Sequence, residues 1–416
     1  MKQCFPILVL LALAAGCTKL TEYNYAVICD FPAFSSGPAW LVVSNDAGTV
    51  LKTFDLPAGG SHFSGELEFQ GPSAPEHYNL HLIRKNTSGG VSTVLSCYMV
   101  QNGAPVVFLP AERYAVAARA NFVLLSVQGI AAVQAVDFPG SQPGDTQLLS
   151  FNDTPQTATI FVLLRDRVDF VMRIRTAASA PFRSLYLTTD TLTGSMLRTQ
   201  WADYAVESDI RPVELPRNRP VNVLDIAAIT PDSKRFATVL AYANSSSQLS
   251  VVPPDQVSLP ADLPAQTLFR VKLQQGDYTT EKIFKPGEAL RLEENDLHIH
   301  SAVITAEQTI AILTSGAPDL IEANIHIFNP ANGNYIGHWK IQGPPETYQH
   351  LVVPNLTALL PGWSIPNTPN DALRVQVYKY DQLDYRQLLA GFPFKGGDGR
   401  VFPIARSGLQ MLTVDY

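Results

Sequence analysis

Apolar and polar residues alternate in short runs along most of the chain, and Gly, Pro, Asn and Asp bound these runs. This spacing is typical of β-strands joined by turns. After residue 16 no stretch carries a sustained helical stripe, although residues 111–120 are compatible with a short helix. The clearest strand patterns lie at residues 40–44, 50–56, 78–83, 122–127, 160–164, 185–188, 268–273, 325–328 and 373–378. The pattern therefore predicts an all-β protein.

Two sequence patterns recur at similar offsets. The segment PGDTQLLSFND at residues 143–153 matches PGEALRLEEND at residues 286–296 without a gap, an offset of 143 residues. A second pattern joins a strand, a polar turn ending in Gly and a later aromatic residue. Its copies contain Gly48 and Phe54, Gly194 and Trp201, and Gly333 and Trp339. Each Gly predicts a turn with positive φ. Together the patterns indicate an internal repeat of about 143 residues.

Pro-rich segments indicate where domains meet. Residues 252–264 (VPPDQVSLPADLP) predict an extended linker, and residues 106–112 also contain a Pro. We predict a signal segment at residues 1–16, a half-length unit at residues 17–112, and full units at residues 113–258 and 259–416. Strands this short and this regularly spaced favour tandem antiparallel β-sandwich domains.

The N-terminus has the features of an export signal. Lys2 is followed by an apolar stretch at residues 5–13, which is too short to span a bilayer, and by small residues directly before Cys17. An ordinary signal peptide or a buried N-terminal helix is the alternative. Small residues that end at a Cys resemble the lipobox of bacterial lipoproteins. The resemblance implies that Cys17 carries lipid and anchors the protein to a membrane.

Two further cysteines, Cys29 and Cys97, lie in apolar runs that predict strands. An oxidising compartment would favour a disulfide between them. The alternative is a pair of buried free thiols, and the sequence leaves both open.

Composition narrows the function classes. The chain has 416 residues, of which 46% are hydrophobic and 16% charged, so it is not disordered. The 30 basic and 37 acidic residues give a net charge of −7, and no basic run is present. We therefore expect no nucleic-acid partner. The low charge is typical of turn-rich secreted β-proteins.

Candidate catalytic and metal-binding chemistry is sparse. His298 and His300 alternate on one strand face and could bind a metal if a third ligand came from elsewhere. Because Leu297 and Ile299 would face the core, the pattern favours a solvated strand face for the two histidines. The sequence lacks GxSxG, HExxH, GxxxxGK[ST] and a GxGxxG after a strand. We therefore expect no cofactor and no enzyme, although a carboxylate pair of a secreted hydrolase would leave no sequence signature.

Aromatic residues offer one candidate ligand platform. Trp363 lies in the Pro/Gly-rich stretch at residues 354–369, and Tyr378, Tyr380 and Tyr385 follow it. Loops displayed on a rigid sandwich are frequent binding sites. The alternative is that Trp363 packs into the core and anchors its own loop there.

Several segments resemble known families. The plan of a lipobox followed by β-sandwich units resembles Bacteroidetes-type secreted lipoproteins with immunoglobulin-like or transthyretin-like sandwiches. The segments LVVSNDAGTVLKTF and IHIFNPANGNYIGHW are similar to hairpins of fimbrillin-like and carboxypeptidase-regulatory-like domains, and residues 286–316 resemble a segment of immunoglobulin-Fc-binding-type adhesive domains. The resemblance carries over no functional residue.

These resemblances imply a lipid-anchored protein of the bacterial outer membrane or cell surface, with the periplasmic face left open. Its implied role is non-catalytic: binding, adhesion or structure, with proteins or glycans as partners. A carbohydrate-binding lipoprotein that serves an outer-membrane transporter is one alternative, and a secreted hydrolase is another.

Overall fold

A computed structural model describes the chain in these ranges: 21–31, 37–71, 75–85, 91–108, 120–137, 146–154, 156–165, 169–187, 196–207, 209–229, 236–243, 253–264, 266–305, 309–329, 332–363, 373–381, 383–390 and 408–416. The expected signal segment at residues 1–16, Cys17 and Gly194 lie outside them. The helix expected at residues 111–120 also lies outside them, except for residue 120, which begins a strand.

The first sandwich packs two sheets around one core that contains Val27, Leu41 and Leu82. The sheets have the orders β4-β1-β7 and β3-β2-β5-β6. The strands are β1 (Thr21–Asp30), β2 (Ala39–Ser44), β3 (Val50–Leu56), β4 (His62–Gly71), β5 (His77–Arg84), β6 (Ser92–Gln101) and β7 (Pro105–Val107).

The second sandwich has sheets in the orders β10-β11-β8-β14 and β15-β13-β12-β9, with Leu125, Ile160 and Met172 in its core. Its strands are β8 (Ala120–Ile130), β9 (Ala135–Asp137), β10 (Thr146–Thr154), β11 (Gln156–Arg165), β12 (Phe170–Arg175), β13 (Arg183–Leu187), β14 (Met196–Gln200) and β15 (Ala205–Val206).

The third sandwich has sheets in the orders β19-β16-β22 and β18-β17-β20-β21 around Ile226, Val257 and Val271. Its strands are β16 (Asp209–Glu214), β17 (Val223–Ile229), β18 (Phe236–Ala243), β19 (Gln256–Leu259), β20 (Leu268–Gln275), β21 (Tyr278–Phe284) and β22 (Leu290–Arg291).

The fourth sandwich has sheets in the orders β23-β24-β27 and β29-β28-β25-β26 around Ile312, Ile325 and Trp339. Its elements are β23 (His298–Ile304), β24 (Thr309–Ser315), β25 (Leu320–Phe328), β26 (Tyr335–Gly343), β27 (Leu351–Val352), β28 (Leu373–Tyr380), the helix α1 (Tyr385–Leu389) and β29 (Leu409–Asp415). The fold class is thus confirmed: the chain is all-β and built of antiparallel-rich sandwiches.

The first three sandwiches share one strand plan, and the fourth has a related one. In the first, β1 lies between β4, which is antiparallel to it, and β7, which is parallel. In the third, β16 has the same relation to β19 and β22. In the second, β8 lies between the antiparallel strand β11 and the parallel strand β14. In the fourth, β24 is likewise the central strand of a three-stranded sheet, but its neighbours β23 and β27 are both antiparallel to it. The fold therefore repeats along the chain.

The structural repeat does not follow the predicted offset or boundaries. The sandwiches begin at residues 21, 120, 209 and 298, closer together than 143 residues. Residues 146–154 form the edge strand β10, whereas residues 286–296 form a turn and the short strand β22. The predicted boundary at residue 258 falls inside β19, because the Pro-rich segment supplies an edge strand rather than a linker. Turn residues and apolar alternation recur in many hairpins, so the sequence match was not a structural one.

Three sandwiches share one continuous sheet. Twelve strands follow the order β18-β17-β20-β21-β29-β28-β25-β26-β6-β5-β2-β3. The third and fourth sandwiches join through antiparallel β21 and β29, and the fourth and first join through parallel β26 and β6. The last sandwich in the sequence therefore pairs edge to edge with the first.

Candidate binding surface

Four aromatic rings lie together on the hairpin formed by β25 and β26. In the antiparallel register, His326 faces His338 and Phe328 faces Tyr335. Successive side chains of a strand point to opposite faces. The intervening Ile327 is buried in the core, so the four rings project from the other face of the sheet. We call His326, Phe328, Tyr335 and His338 the ring block.

Tyr335 is the centre of the ring block. Its ring contacts His326 edge-on, with centroids 5.6 Å apart, and Phe328 at 5.8 Å. Its hydroxyl lies 3.4 Å from Nδ1 of His338. Partial burial raises the pKa of Tyr335, so the phenol is neutral near pH 7. Phe328 and Tyr335 nevertheless keep 37% and 43% of their surface exposed, which is unusual for rings of this size.

The turn of the hairpin holds the ring block in place. Gly333 has φ +69°, as the sequence pattern predicted for this turn. The amide of Gly333 donates to the carbonyl of Asn329, and the amide of Asn329 donates to the carbonyl of Asn334. A register shift follows Ile327, which places Phe328 opposite Tyr335. The rings therefore stand on a short, well-hydrogen-bonded hairpin.

Charged pairs border the ring block on the same sheet face. Arg374 donates from Nε to Asp415 over 2.5 Å and from Nη2 over 3.1 Å. This hydrogen bond holds the pKa of Asp415 below its usual value, with a further contribution from His326. On the other side, Lys340 lies 2.6 Å from the nearly buried Glu322. The surface thus combines exposed aromatic rings with fixed polar neighbours, a composition typical of binding hot spots.

The structure does not bring the predicted aromatic platform together. Trp363 is only 7% exposed and packs in the core against Gly337. It therefore anchors its own loop to the core, which was the alternative to a ligand platform. Tyr385 is buried at the other end of β26, and its hydroxyl donates to the carbonyls of Tyr98 and Gln342.

Tyr378 and Tyr380 stack on β28 with centroids 6.2 Å apart and lie half-buried.

Cys29 and Cys97 are free thiols, so the disulfide considered from the sequence is not formed in this structure. Both are buried in the core of the first sandwich. Burial raises the pKa of each thiol to about 12. They are therefore present as poorly reactive thiols.

The two candidate metal-binding histidines stay at the surface. The rings of His298 and His300 stack with centroids 6.3 Å apart, and His300 Nε2 lies 2.9 Å from the Ser315 hydroxyl. Within the described ranges, no group of three or more His, Cys, Asp or Glu side chains is placed to hold a metal ion. The neighbouring Asn295 is structural: its amide donates to the carbonyls of Thr279 and Met411, across the joint between β21 and β29.

Among the described residues, the carboxyl groups of Asp262 and Asp319 have a raised pKa, and burial is the main cause for both. Each accepts a hydrogen bond from a backbone amide, Asp262 from Tyr186 and Asp319 from Tyr380. They belong to the third and the fourth sandwich, so they do not form the close pair that glycoside hydrolysis requires. In the part of the chain that is described, no helix is long and apolar enough to cross a bilayer.

Neither protein-family profiles nor curated proteins give a match. A solved structure titled "Structural basis for Dscam isoform specificity" is 12% identical over 86% of this chain and 96% of its own, with a TM-score of 0.14. The N-terminal four Ig domains of Dscam1 isoform 9.44 are 10% identical over 85% and 95%, with a TM-score of 0.15. Values this low carry no argument, so the fold class rests on the strand pairing.

Sequence reasoning missed the ring block, although a signal was present. His326 and Phe328 alternate with Ile325 and Ile327, and rings recur after the Asn-Gly turn. Alternation of rings with aliphatic residues across a predicted hairpin places all rings on one face. Trp339, near the end of that segment, is buried on the opposite face of the sheet.

Proposed function

We propose that this chain is a lipid-anchored, non-catalytic binding protein of the bacterial envelope, with an adhesive or structural role, and that the ring block is its contact surface. The exposed rings of Phe328 and Tyr335 carry the proposal, because exposed aromatic clusters with polar borders are enriched at interaction sites. The shared twelve-stranded sheet supports it, since it provides a rigid base for such a surface.

The role is tested by adhesion of cells that display the full chain to immobilised proteins and glycans. The double variant Phe328→Ala/Tyr335→Ala removes the exposed rings, and we expect binding to fall by about tenfold or more, as for an interface hot spot. A matched control is Val303→Ala/Leu313→Ala, which removes two exposed apolar side chains on β23 and β24. Equal loss in both variants, or none in either, overturns the proposal.

Carbohydrate binding is the second candidate, favoured by the hydrogen-bonding groups that border the rings. Sugars present both apolar faces and hydroxyls, and this surface offers rings beside the Arg374–Asp415 pair. A glycan array distinguishes the two. Saturable binding to a defined glycan, lost in the ring variant, supports a carbohydrate ligand, whereas binding confined to immobilised proteins supports adhesion through protein contacts.

The membrane anchor is proposed from the residues before Cys17. Cells that express Cys17→Ala should release the protein from the membrane fraction, because the acyl chains that hold it are lost. The variant should appear in the soluble fraction at the level that the wild type reaches in the membrane fraction. Such recovery distinguishes release from loss by misfolding. A variant that still sediments with membranes overturns the anchor without affecting the ring-block experiment.

A further inference from the structure

A strip of polar side chains continues from the ring block along the same face of the sheet. Glu322 and Asn324 lie on the same side of β25 as His326, because an even number of residues separates each of them from it. The register places Gln342 of β26 on one side of Glu322 and Gln376 of β28 on the other. At about 3.4 Å per residue, the strip is about 20 Å long from the outermost ring to Glu322. We call Asn324, Gln342 and Gln376 the amide row.

The three amides are held in place through their nitrogens. Nδ2 of Asn324 donates to Glu322 over 2.9 Å, and Nε2 of Gln342 donates to the other oxygen of the same carboxylate over 2.8 Å. Nε2 of Gln376 donates to the Thr413 hydroxyl over 3.2 Å. Each amide side chain is half-buried, and its oxygen accepts no hydrogen bond from a described residue. The row therefore presents fixed acceptors to a ligand that carries hydroxyl donors.

The charges of the strip cancel one another. Lys340 pairs with Glu322 over 2.6 Å, and Arg374 pairs with Asp415 over 2.5 Å. A charged ligand would have to compete with these contacts or lose water without gaining a counter-ion. An uncharged ligand meets neither cost, so the strip favours a neutral ligand.

The strip lies on the face of the sheet and not at its edge. β25 lies between β26 and β28, β26 continues to β6, and β28 continues to β29. An extended peptide therefore finds no free strand edge here for its backbone groups, although edge pairing is a common way for sheets to bind peptides. A sugar chain carries hydroxyls around apolar ring faces. The amide row and the ring block offer partners for both.

We propose that this strip binds a neutral linear polysaccharide, which lies along the strands with an apolar sugar face on Phe328 and Tyr335 and with hydroxyls toward the amide row. This ligand class rests on the ring block being the contact surface, as proposed above. It adds the amide row to that surface and narrows the ligand to an uncharged glycan chain.

Affinity electrophoresis of the full-length protein tests the ligand class. Native gels contain hydroxyethylcellulose, dextran or guar galactomannan, each beside its carboxymethylated form, so that the paired gels differ in polymer charge. We expect at least one neutral polymer to retard the protein, and to do so more than its carboxymethylated form. Retardation by none of the neutral polymers, or stronger retardation by the charged forms, overturns the proposal.

Variants of the amide row test the site. Asn324→Ala/Gln376→Ala removes two acceptors and keeps the rings, and we expect the affinity for the retarding polymer to fall by about tenfold, as for the loss of two hydrogen bonds. Gln376→Ala alone, which leaves the contacts of Glu322 intact, should lower it by about threefold and serves if the double variant does not fold. Gln256→Ala removes an exposed glutamine of β19, outside the twelve-stranded sheet, and is the matched control. Equal affinity of the control and the amide-row variants overturns the proposal.

Adhesion to immobilised proteins separates this outcome from failure of the contact surface itself. If Phe328→Ala/Tyr335→Ala lowers adhesion but the amide-row variants bind polysaccharide like the wild type, the glycan strip is refuted and the ring block stands. If the ring variant changes neither adhesion nor retardation, the ring block is refuted as the contact surface, and the strip with it.

Discussion

The indole nitrogen of Trp339 donates a hydrogen bond to the hydroxyl of Ser96 over 2.7 Å. This bond crosses the joint between the fourth sandwich and the first. The same hydroxyl lies 2.7 Å from Nδ1 of His81, whose Nε2 lies 2.8 Å from the hydroxyl of Ser44. A chain of polar groups thus runs across β26, β6, β5 and β2, inside an otherwise apolar interior.

Loss of the central hydroxyl should therefore be costly. Ser96→Ala leaves the Trp339 N–H and one His81 nitrogen without their partner, and we expect the free energy of unfolding to fall by about 2–3 kcal/mol. Urea denaturation followed by tryptophan fluorescence measures it. Ser301→Ala, at an exposed position of β23, should change it by less than about 0.5 kcal/mol. Equal effects of the two substitutions would contradict the role of the network.

Stability should also depend on pH through His81. Burial lowers the pKa of His81 to about 3, whereas its ordinary value is 6.5. Between these values the unfolded chain binds a proton that the folded chain does not, so acidification favours unfolding by up to about 1.4 kcal/mol per pH unit. Above pH 6.5 His81 is neutral in both the folded and the unfolded chain, so this destabilisation is absent. The difference in unfolding free energy between wild type and His81→Gln should shrink from pH 6.5 toward pH 4, and a constant difference would refute the assignment.

Gly337 is the position where Trp363 closes onto β26. A Cβ at Gly337 would lie 2.6 Å from the Ser92 carbonyl and would overlap the Trp363 ring. Gly337→Ala should therefore cost about 1–3 kcal/mol through overpacking. Gly343→Ala, on the same strand, meets its neighbours at an ordinary 3.4 Å and serves as the control. Thermal unfolding compares them, and equal melting temperatures would show that Trp363 is not packed as described.

The thiols of Cys29 and Cys97 should be protected in the folded state. With pKa values of about 12 and little exposure, they should react with a thiol reagent at pH 8 at least about 100-fold more slowly than in denaturant. A chain carrying Cys4→Ala and Cys17→Ala restricts the signal to these two. Absence of labelling in denaturant without reductant would instead reveal a disulfide.

A buried ion pair lies where the second and third sandwiches meet. Arg173 Nε is 2.5 Å from Glu207, and its Nη2 donates to the carbonyl of Ser258 over 2.6 Å. Glu207→Gln removes the counter-charge and should cost about 3 kcal/mol. The double variant Arg173→Met/Glu207→Leu should cost less, since no buried charge remains. Guanidinium denaturation measures both, and a double variant worse than the single one would contradict this account.

Local features of the fold followed from the sequence. The hairpins around Gly48 and Gly333 form as their turn residues predict, with φ +73° and +69°. The middle copy of that pattern behaves differently, because β13 and β14, which flank it, lie in different sheets. A turn signature specifies a reversal of the chain only when both strands stay in one sheet, and tertiary packing decides that.

Long-range features did not follow from the sequence. Parallel pairing of β26 with β6 leaves no local pattern, since both strands have the alternation of any half-buried strand. Short edge strands such as β19 tolerate nearby Pro, so a Pro-rich sequence does not by itself distinguish an edge strand from a linker. The exposure of Tyr335 and the burial of Trp339 are also tertiary outcomes, because two aromatic residues on one hairpin differ only in the face they occupy.

The pairing of β26 with β6 sets an order of events during synthesis. β6 ends at Gln101, but the strand that covers its edge begins at Tyr335. At ribosomal elongation rates this interval corresponds to roughly 10–50 s. During that time the first sandwich presents an open edge to any other strand it meets. A factor that shields nascent β6 would therefore raise the yield of folded protein more than one acting on the finished chain.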